Sequence, residues 1–352
     1  MSSDMKGEEK TVDGAPSAPL WAQHTEVDDY HALCRARIQH LVRVREPLVL
    51  VSQVQRSGGT LLSQLFDGHP ECHAHPHELK VGYPRKRHWP PLDLTRPDLC
   101  FEMLFERRSI RQFQRGYSKS PKRHQDSYDV FPFLFLPRLQ KAIYDTCVEG
   151  RALESERDVL DCYFTSYFNA WLDNHNLYSG PKRVVTGFTP RLAMESENLR
   201  HFFAAYPDGW LVTIVRNPRT WYLSASSYDP ERYSDVETAL ELWRRSGEAA
   251  MEARDLYGDR VLVLTYERLL EQPEETMSWL AEQVGITMTS HLLEPTFNGR
   301  PIRANSAYPV GRYGILPERA SADRDGLDPG LAARIDELAG GLYERAAALT
   351  PA

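Results

Sequence analysis

The chain has 352 residues, enough for one large domain or two. Its 41% hydrophobic and 26% charged residues make an ordinary globular mix, and a net charge of −7 argues against a broad nucleic-acid surface while leaving room for a local basic pocket. The five cysteines are odd in number and form no CxxC pair, which fits a reducing compartment better than a disulfide framework.

The N-terminus is polar throughout and does not read as a signal peptide, and no stretch is apolar enough to span a membrane. A cytoplasmic protein is the expectation. Residues 1–20, rich in Ser, Gly, Pro and charge, are expected to be disordered. Helical spacing of apolar residues follows over 27–44, and Pro47 ends it. Residues 48–54 are apolar and β-branched, as in a strand buried on both faces. The turn Gln55-Arg56-Ser57-Gly58-Gly59-Thr60 comes next, and then Leu61, Leu62, Leu65 and Phe66 at helical spacing. Strand, glycine turn and helix make a phosphate cradle: orphan N–H groups point outward, and glycine lets the main chain approach an anion closely. Arg56 adds charge, and Ser57 and Thr60 add hydroxyls. No Lys follows Gly59, so this is not a Walker A loop, and no acidic residue is placed to hold magnesium. The anion is expected to bind without a metal.

Gly68-His69-Pro70 makes a turn, with a short strand expected over 72–75. His73, His75, His77 and Glu78 crowd together here and suggest zinc. Their spacing matches no established motif and Pro76 breaks the regular geometry, so no metal site is assigned. Residues 83–180 read as a helical insertion covering the sheet. It has a basic, aromatic loop over 83–91, helices over 98–113, 139–148 and 158–172, a polar loop over 115–129 and an apolar stretch over 131–136. The stripe Tyr163, Phe164, Tyr167, Phe168, Trp171 is read as core.

A strand over 184–187, a helix over 195–206 and a buried strand over 210–215 follow. The last runs into Arg216-Asn217-Pro218-Arg219, with Ser224 eight residues after Arg216. Pro218 suits a first helical turn. Arg216 sits at a strand's carboxyl end, where open α/β sheets bind ligands, and with Ser224 it can clamp a phosphate. Then come a long helix over 236–257, a strand from 261 into Tyr266-Glu267-Arg268-Leu269-Leu270, and a helix over 274–284. Residues 295–315 lack periodicity, and 317–352 read as a helical tail, packed on the core or supporting a homodimer.

The two phosphate motifs in this order resemble the sulfotransferases that use 3'-phosphoadenosine 5'-phosphosulfate (PAPS). Arg56-Ser57-Gly58-Gly59-Thr60, followed by Leu-Leu and then His-Pro, is most similar to the bacterial, carbohydrate and tyrosylprotein branches. The resemblance implies that Arg56, Ser57, Gly58, Gly59 and Thr60 hold the 5' end of the nucleotide. It implies that Arg216 and Ser224 hold the 3'-phosphate, with Asn217 replacing the commoner Asp. A basic loop with Arg303, Ser306 and Arg312 is expected to close over the nucleotide. Glu78, after His69-Pro70, takes the place of the general base, with His77 and His75 as alternatives. Arg56 stabilises charge on the leaving oxygen, and the stretch around Tyr266 is scaffold.

The expected fold class is α/β, a P-loop-like three-layer sandwich with a mostly parallel five-stranded sheet and a helical, substrate-covering insertion. Residues 21–316 would form the sulfotransferase-like domain. The implied reaction is sulfuryl transfer from PAPS to a hydroxyl of a carbohydrate, glycolipid or small metabolite, without nucleic acid or metal. Tyr83, Trp89, Tyr128 and Phe131 are candidates for stacking on the acceptor. The competing readings are a magnesium- and ATP-dependent phosphotransferase and a non-catalytic nucleotide-binding protein.

Overall fold

The computed structural model describes residues 26–79, 81, 88–118, 130–304, 311–321 and 327–350. The expectations for residues 1–20 and for Tyr83, Tyr128 and Ser306 lie outside them. The chain divides into two compact units, Met1–Leu41 and Val42–Ala352. The described part of the first is the helix Glu26–Gln39, which stops short of the predicted end.

The second unit is built on a five-stranded sheet of order β2-β3-β1-β4-β5, with β1 Leu48–Val51, β2 Cys72–Glu78, β3 Val184–Phe188, β4 Trp210–Val215 and β5 Val261–Thr265. Every pairing is parallel. β1, β3 and β5 are buried at every position, as strands covered on both faces must be. After β1 the chain crosses to one side of it for β2 and β3, then to the other for β4 and β5. That reversal opens a crevice at the carboxyl ends of the strands beside β1. The helix Gly59–Leu65 leaves β1 there, and Pro218–Tyr228 leaves β4.

β2 is longer than the expected 72–75 and continues through Pro76 to Glu78. Its register against β3 shifts between Ala74 and Glu78, the irregularity a proline without an N–H imposes on a ladder. Tyr117 Oη donates to the Pro76 carbonyl at 2.6 Å.

The insertion is helical, with one correction. The helix predicted over 98–113 is two, Pro97–Leu104 and Arg107–Phe113, broken at Phe105 and Glu106. Phe105 is extended, with φ −63° and ψ 123°. The break turns Glu106 inward, where it is buried. The helix Glu156–Ala170 starts with a capping box at Ser155 and buries the whole aromatic stripe, as expected of core. The tail contributes the helices Pro329–Ala339 and Leu342–Leu349. Among the described residues no helix is long and apolar enough to cross a membrane.

Asp161, on the helix Glu156–Ala170, has its pKa pushed up to about 7 by burial, against the pull of Arg157. A carboxyl raised on folding stabilises fully below its unfolded pKa near 4, and that contribution is lost as pH rises through the folded value. Asp161→Asn mimics the protonated form. Its melting temperature should therefore gain on the parent's between pH 5 and pH 8. A constant gap in calorimetric scans across that range would show Asp161 charged in the fold at little cost.

Candidate functional site

The crevice beside β1 is a cleft of about 180 Å³. Its floor is the turn after β1. Arg56 has φ 71° and Gly58 φ 102°, both in the left-handed region. A Cβ on Gly58 would lie 2.5 Å from Tyr266 Cδ2. One on Gly59 would lie 1.9 Å from Gln53 Nε2 and 2.4 Å from the Phe188 ring. The two glycines are therefore needed for packing the turn against its neighbours. Ser57 is buried beneath the turn.

The second wall starts at the end of β4. Arg216 Nη1 donates to the Arg56 carbonyl at 3.1 Å, and its Nε to Thr220 Oγ1 at 3.1 Å. Arg56 Nε donates to Ser224 Oγ at 3.3 Å. The two motifs, far apart in the chain, thus touch through both arginines. Aromatic faces carry the guanidinium groups: Arg56 lies 4.7 Å from the Tyr228 centroid and Arg216 lies 4.5 Å from that of Tyr266. Behind them, Trp221 Nε1 donates to the Gln55 carbonyl and Trp243 Nε1 to the Arg216 carbonyl, each at 2.9 Å.

Glu267 is buried behind Arg216. It accepts from the Asn217 N–H at 3.1 Å, Thr220 Oγ1 at 3.3 Å and Tyr343 Oη at 3.0 Å. Burial raises its pKa, opposed by its hydrogen bonds and by Arg216. Asn217 caps the helix Pro218–Tyr228 through its side chain, so it serves the same turn from the other side.

Among the residues predicted from sequence, the cleft gathers Arg56, Gly58, Gly59, Thr60, Glu78, Arg216 and Ser224. Glu78 reaches it as the last residue of β2. His75 and His77 do not line it. Both are buried, and each donates through Nδ1 to a backbone carbonyl, His75 to that of His77 at 2.9 Å and His77 to that of Glu78 at 3.0 Å. His73 stacks on Phe168 at 5.0 Å, and burial lowers its pKa to about 3. Arg303 lies 5.4 Å from the Tyr313 centroid and Arg312 pairs with Glu318; the cleft is lined instead by Ala304. Trp89 and Phe131 are buried away from it.

Sequence reasoning missed Gln53, Tyr228 and Arg319, and assigned Tyr266 to scaffold although its ring lines the cleft. Tyr228 was within reach, since it follows Ser224 by four residues on the same helix face. Gln53 lies two residues past the end of β1, and both of its side-chain polar atoms are buried without a hydrogen-bond partner. Arg319 ends the short 3-10 turn Pro317–Arg319, inside the stretch read as a helical tail, and no motif sets it apart there. Burial raises the Tyr266 pKa while Arg216, Arg56 and Arg319 all pull it down.

A family model described as the sulfotransferase family matches residues 47–290. Among solved structures, the sulfotransferase domain from the Synechococcus PCC 7002 olefin synthase is 18% identical, over 86% of this chain and 96% of that one, with a TM-score of 0.46. The sulfotransferase from Alicyclobacillus acidocaldarius is 12% identical, over 87% and 96%, with a TM-score of 0.42. That from Mycobacterium avium is 17% identical, over 74% and 69%, with a TM-score of 0.37. No curated protein matches the chain.

Gly58→Ala tests the close packing of the turn. The added methyl group meets Tyr266 in a backbone conformation that side chains disfavour, so the variant should lose roughly 1–3 kcal/mol. Urea unfolding measures this, and an unchanged midpoint would mean the turn relaxes freely.

Proposed function

The chain belongs to the sulfotransferase family and is a sulfotransferase; we propose that its donor is PAPS and that its acceptor is a hydroxyl of a carbohydrate, glycolipid or small metabolite. The observation that carries the donor reading is the meeting of Arg56 and Arg216, from two distant motifs, in one cleft with Glu78. A nucleotide with two separated phosphates needs two separated cations, and a sulfuryl group has no handle of its own. Anchoring the donor at both ends turns an encounter into a positioned reaction. The unpartnered, buried polar atoms of Gln53 beside the glycine turn are further groups for such a ligand.

In this reading Arg56, Gly58, Gly59 and Thr60 receive the 5' end, with Ser57 supporting the turn from below. Arg216 and Ser224 receive the 3'-phosphate, with Arg319 as a third cation. Arg303, Ser306 and Arg312 belong to the segment that closes over the nucleotide. As the acceptor oxygen bonds to sulfur, the bond from sulfur to the 5'-phosphate oxygen breaks and that oxygen keeps the electron pair. Arg56 offsets the growing charge and keeps its own proton, since a guanidinium does not deprotonate in this range. The acceptor's proton passes to Glu78. Its position in the cleft favours it over His75 and His77, whose Nε2 atoms face Glu106 instead.

Adenosine 3',5'-bisphosphate should raise the melting temperature far more than AMP does. Arg216→Ala should erase most of that preference, a loss of roughly 2–5 kcal/mol for a buried charged contact. If both nucleotides weaken by the same factor in titration calorimetry, Arg216 does not read the 3'-phosphate.

Glu78→Gln keeps shape and removes basicity. Bisphosphate binding should survive while turnover of any accepted hydroxyl falls by roughly 10²- to 10⁴-fold. Near-normal turnover would reject Glu78 as the base. The acceptor class is tested by mass spectrometry of metabolite and glycolipid extracts incubated with PAPS and the enzyme. Sulfation confined to polypeptide tyrosine would reject it.

A further inference from the structure

His75 and His77 end a strand whose last residue faces the cleft, yet both rings turn the other way, into the insertion. There they meet Glu106, which the helix break at Phe105 and Glu106 turns inward. The Nε2 of His75 lies 3.3 Å from Glu106 Oε1, and that of His77 lies 3.1 Å from Oε2. The side chains of His75 and Glu106 are 0% exposed and that of His77 is 4% exposed, so water does not reach the cluster.

Hydrogen placement decides what these contacts mean. A carbonyl oxygen only accepts, so the Nδ1 of each ring, bound to a backbone carbonyl, must carry a hydrogen. In a neutral imidazole the Nε2 is then a bare lone pair, and here two such lone pairs face the two oxygens of one carboxylate. Lone pairs facing a carboxylate repel unless positive charge lies between them. One proton satisfies one ring and leaves the other opposed, and His75 Nε2 indeed has no hydrogen-bond partner. One divalent cation satisfies both rings and the carboxylate together.

We propose that His75 Nε2, His77 Nε2 and the Glu106 carboxylate bind a divalent transition metal, zinc by the character of the ligand set. The ligand atoms all lie within 4.8 Å of one another. Zinc bonds of about 2.0–2.1 Å place tetrahedral ligands about 3.3 Å apart, the spacing of the His–Glu pairs. Each ring N–H donated to a backbone carbonyl is the outer-shell contact that fixes a metal-binding histidine. The cluster is closed by Tyr167, whose ring lies 4.7 Å from that of His75 and whose Oη is 3.4 Å from His77 Nε2, and by Phe113, 4.7 Å from His77. Two imidazole nitrogens and both oxygens of Glu106 offer the ion four donor atoms, and the surrounding rings leave little room for a substrate beside it. The metal would fasten the insertion to β2 beside Glu78.

The test uses the full-length, untagged chain purified without chelator, with its metal content read by inductively coupled plasma mass spectrometry. About one equivalent of zinc per chain is expected, falling at least tenfold in Glu106→Gln. Another first-row metal lost in the same variant supports the site equally. If Glu106→Gln fails to fold, the parent chain decides. Stripped with 1,10-phenanthroline and reloaded with cobalt(II), it should show the strong visible bands of a four-coordinate ion. A stripped chain that takes up neither zinc nor cobalt overturns the proposal, as does metal that persists undiminished in a folded Glu106→Gln chain.

Discussion

Two arginines from distant motifs, tied together through a main-chain carbonyl, set the terms for the cleft. Arg56 and Arg216 meet where β1 and β4 end, and Arg319 lines the same cleft, in a chain whose net charge is −7. Like charges in one cleft repel, and each is held by neighbouring dipoles and aromatic faces. Arg216 donates to the carbonyl of Arg56, so the contact between the motifs is main chain to side chain and not charge to charge. Tyr228 and Tyr266 present their electron-rich faces, and Ser224 and Thr220 present hydroxyl oxygens. Each such contact is worth about 1 kcal/mol, enough together to orient the cations. In the proposed reading, the cations are oriented before the anionic donor arrives.

Glu267 supplies the compensating acid from behind. It is buried, and it spends its oxygens on the Asn217 N–H, Thr220 and Tyr343. It therefore fastens the turn that presents Arg216 and ties that turn to the helix Leu342–Leu349. The glycine turn is fastened differently, by contact. Gly58 lies against Tyr266, and Gly59 against Gln53 and Phe188, so the turn is seated between the ends of β3 and β5 with no space for a Cβ. One residue, Tyr266, touches both arrangements, packing on Gly58 and carrying Arg216.

What was legible in the sequence was what is local. The buried strands announce themselves by β-branched runs, and each of the two arginine motifs is contiguous, so the parallel five-stranded sheet and the meeting of Arg56 and Arg216 at strand ends were open to reading. Residues brought in by chain closure were not. Arg319 reaches the cleft from the short 3-10 turn Pro317–Arg319, and nothing in its neighbours separates it from Arg303 or Arg312, which the cleft does not include. The two roles of Tyr266 depend on which glycine it packs against. The helix break at Phe105 and Glu106 carries no Gly or Pro to mark it. Glu106 is turned inward for the sake of His75 and His77, about thirty residues earlier, and only the folded chain shows that pairing.

The end of β2 divides its residues between two surroundings. Successive residues of a strand face opposite sides, so His77 and Glu78 are divided between the buried cluster and the cleft. A slip of one residue against β3 would exchange them. Glu78 would then meet Glu106, carboxylate against carboxylate in a space without water, and His77 would stand in the cleft among the arginines. Both placements are unfavourable. Charge therefore specifies the register at the point where Pro76 has removed a ladder hydrogen bond and where the pairing shifts. The His77 Nδ1–H bound to the Glu78 carbonyl adds a direct link across the boundary. The face that Glu78 presents to the cleft is in this sense decided on the far side of the strand, by the residues that His77 must reach.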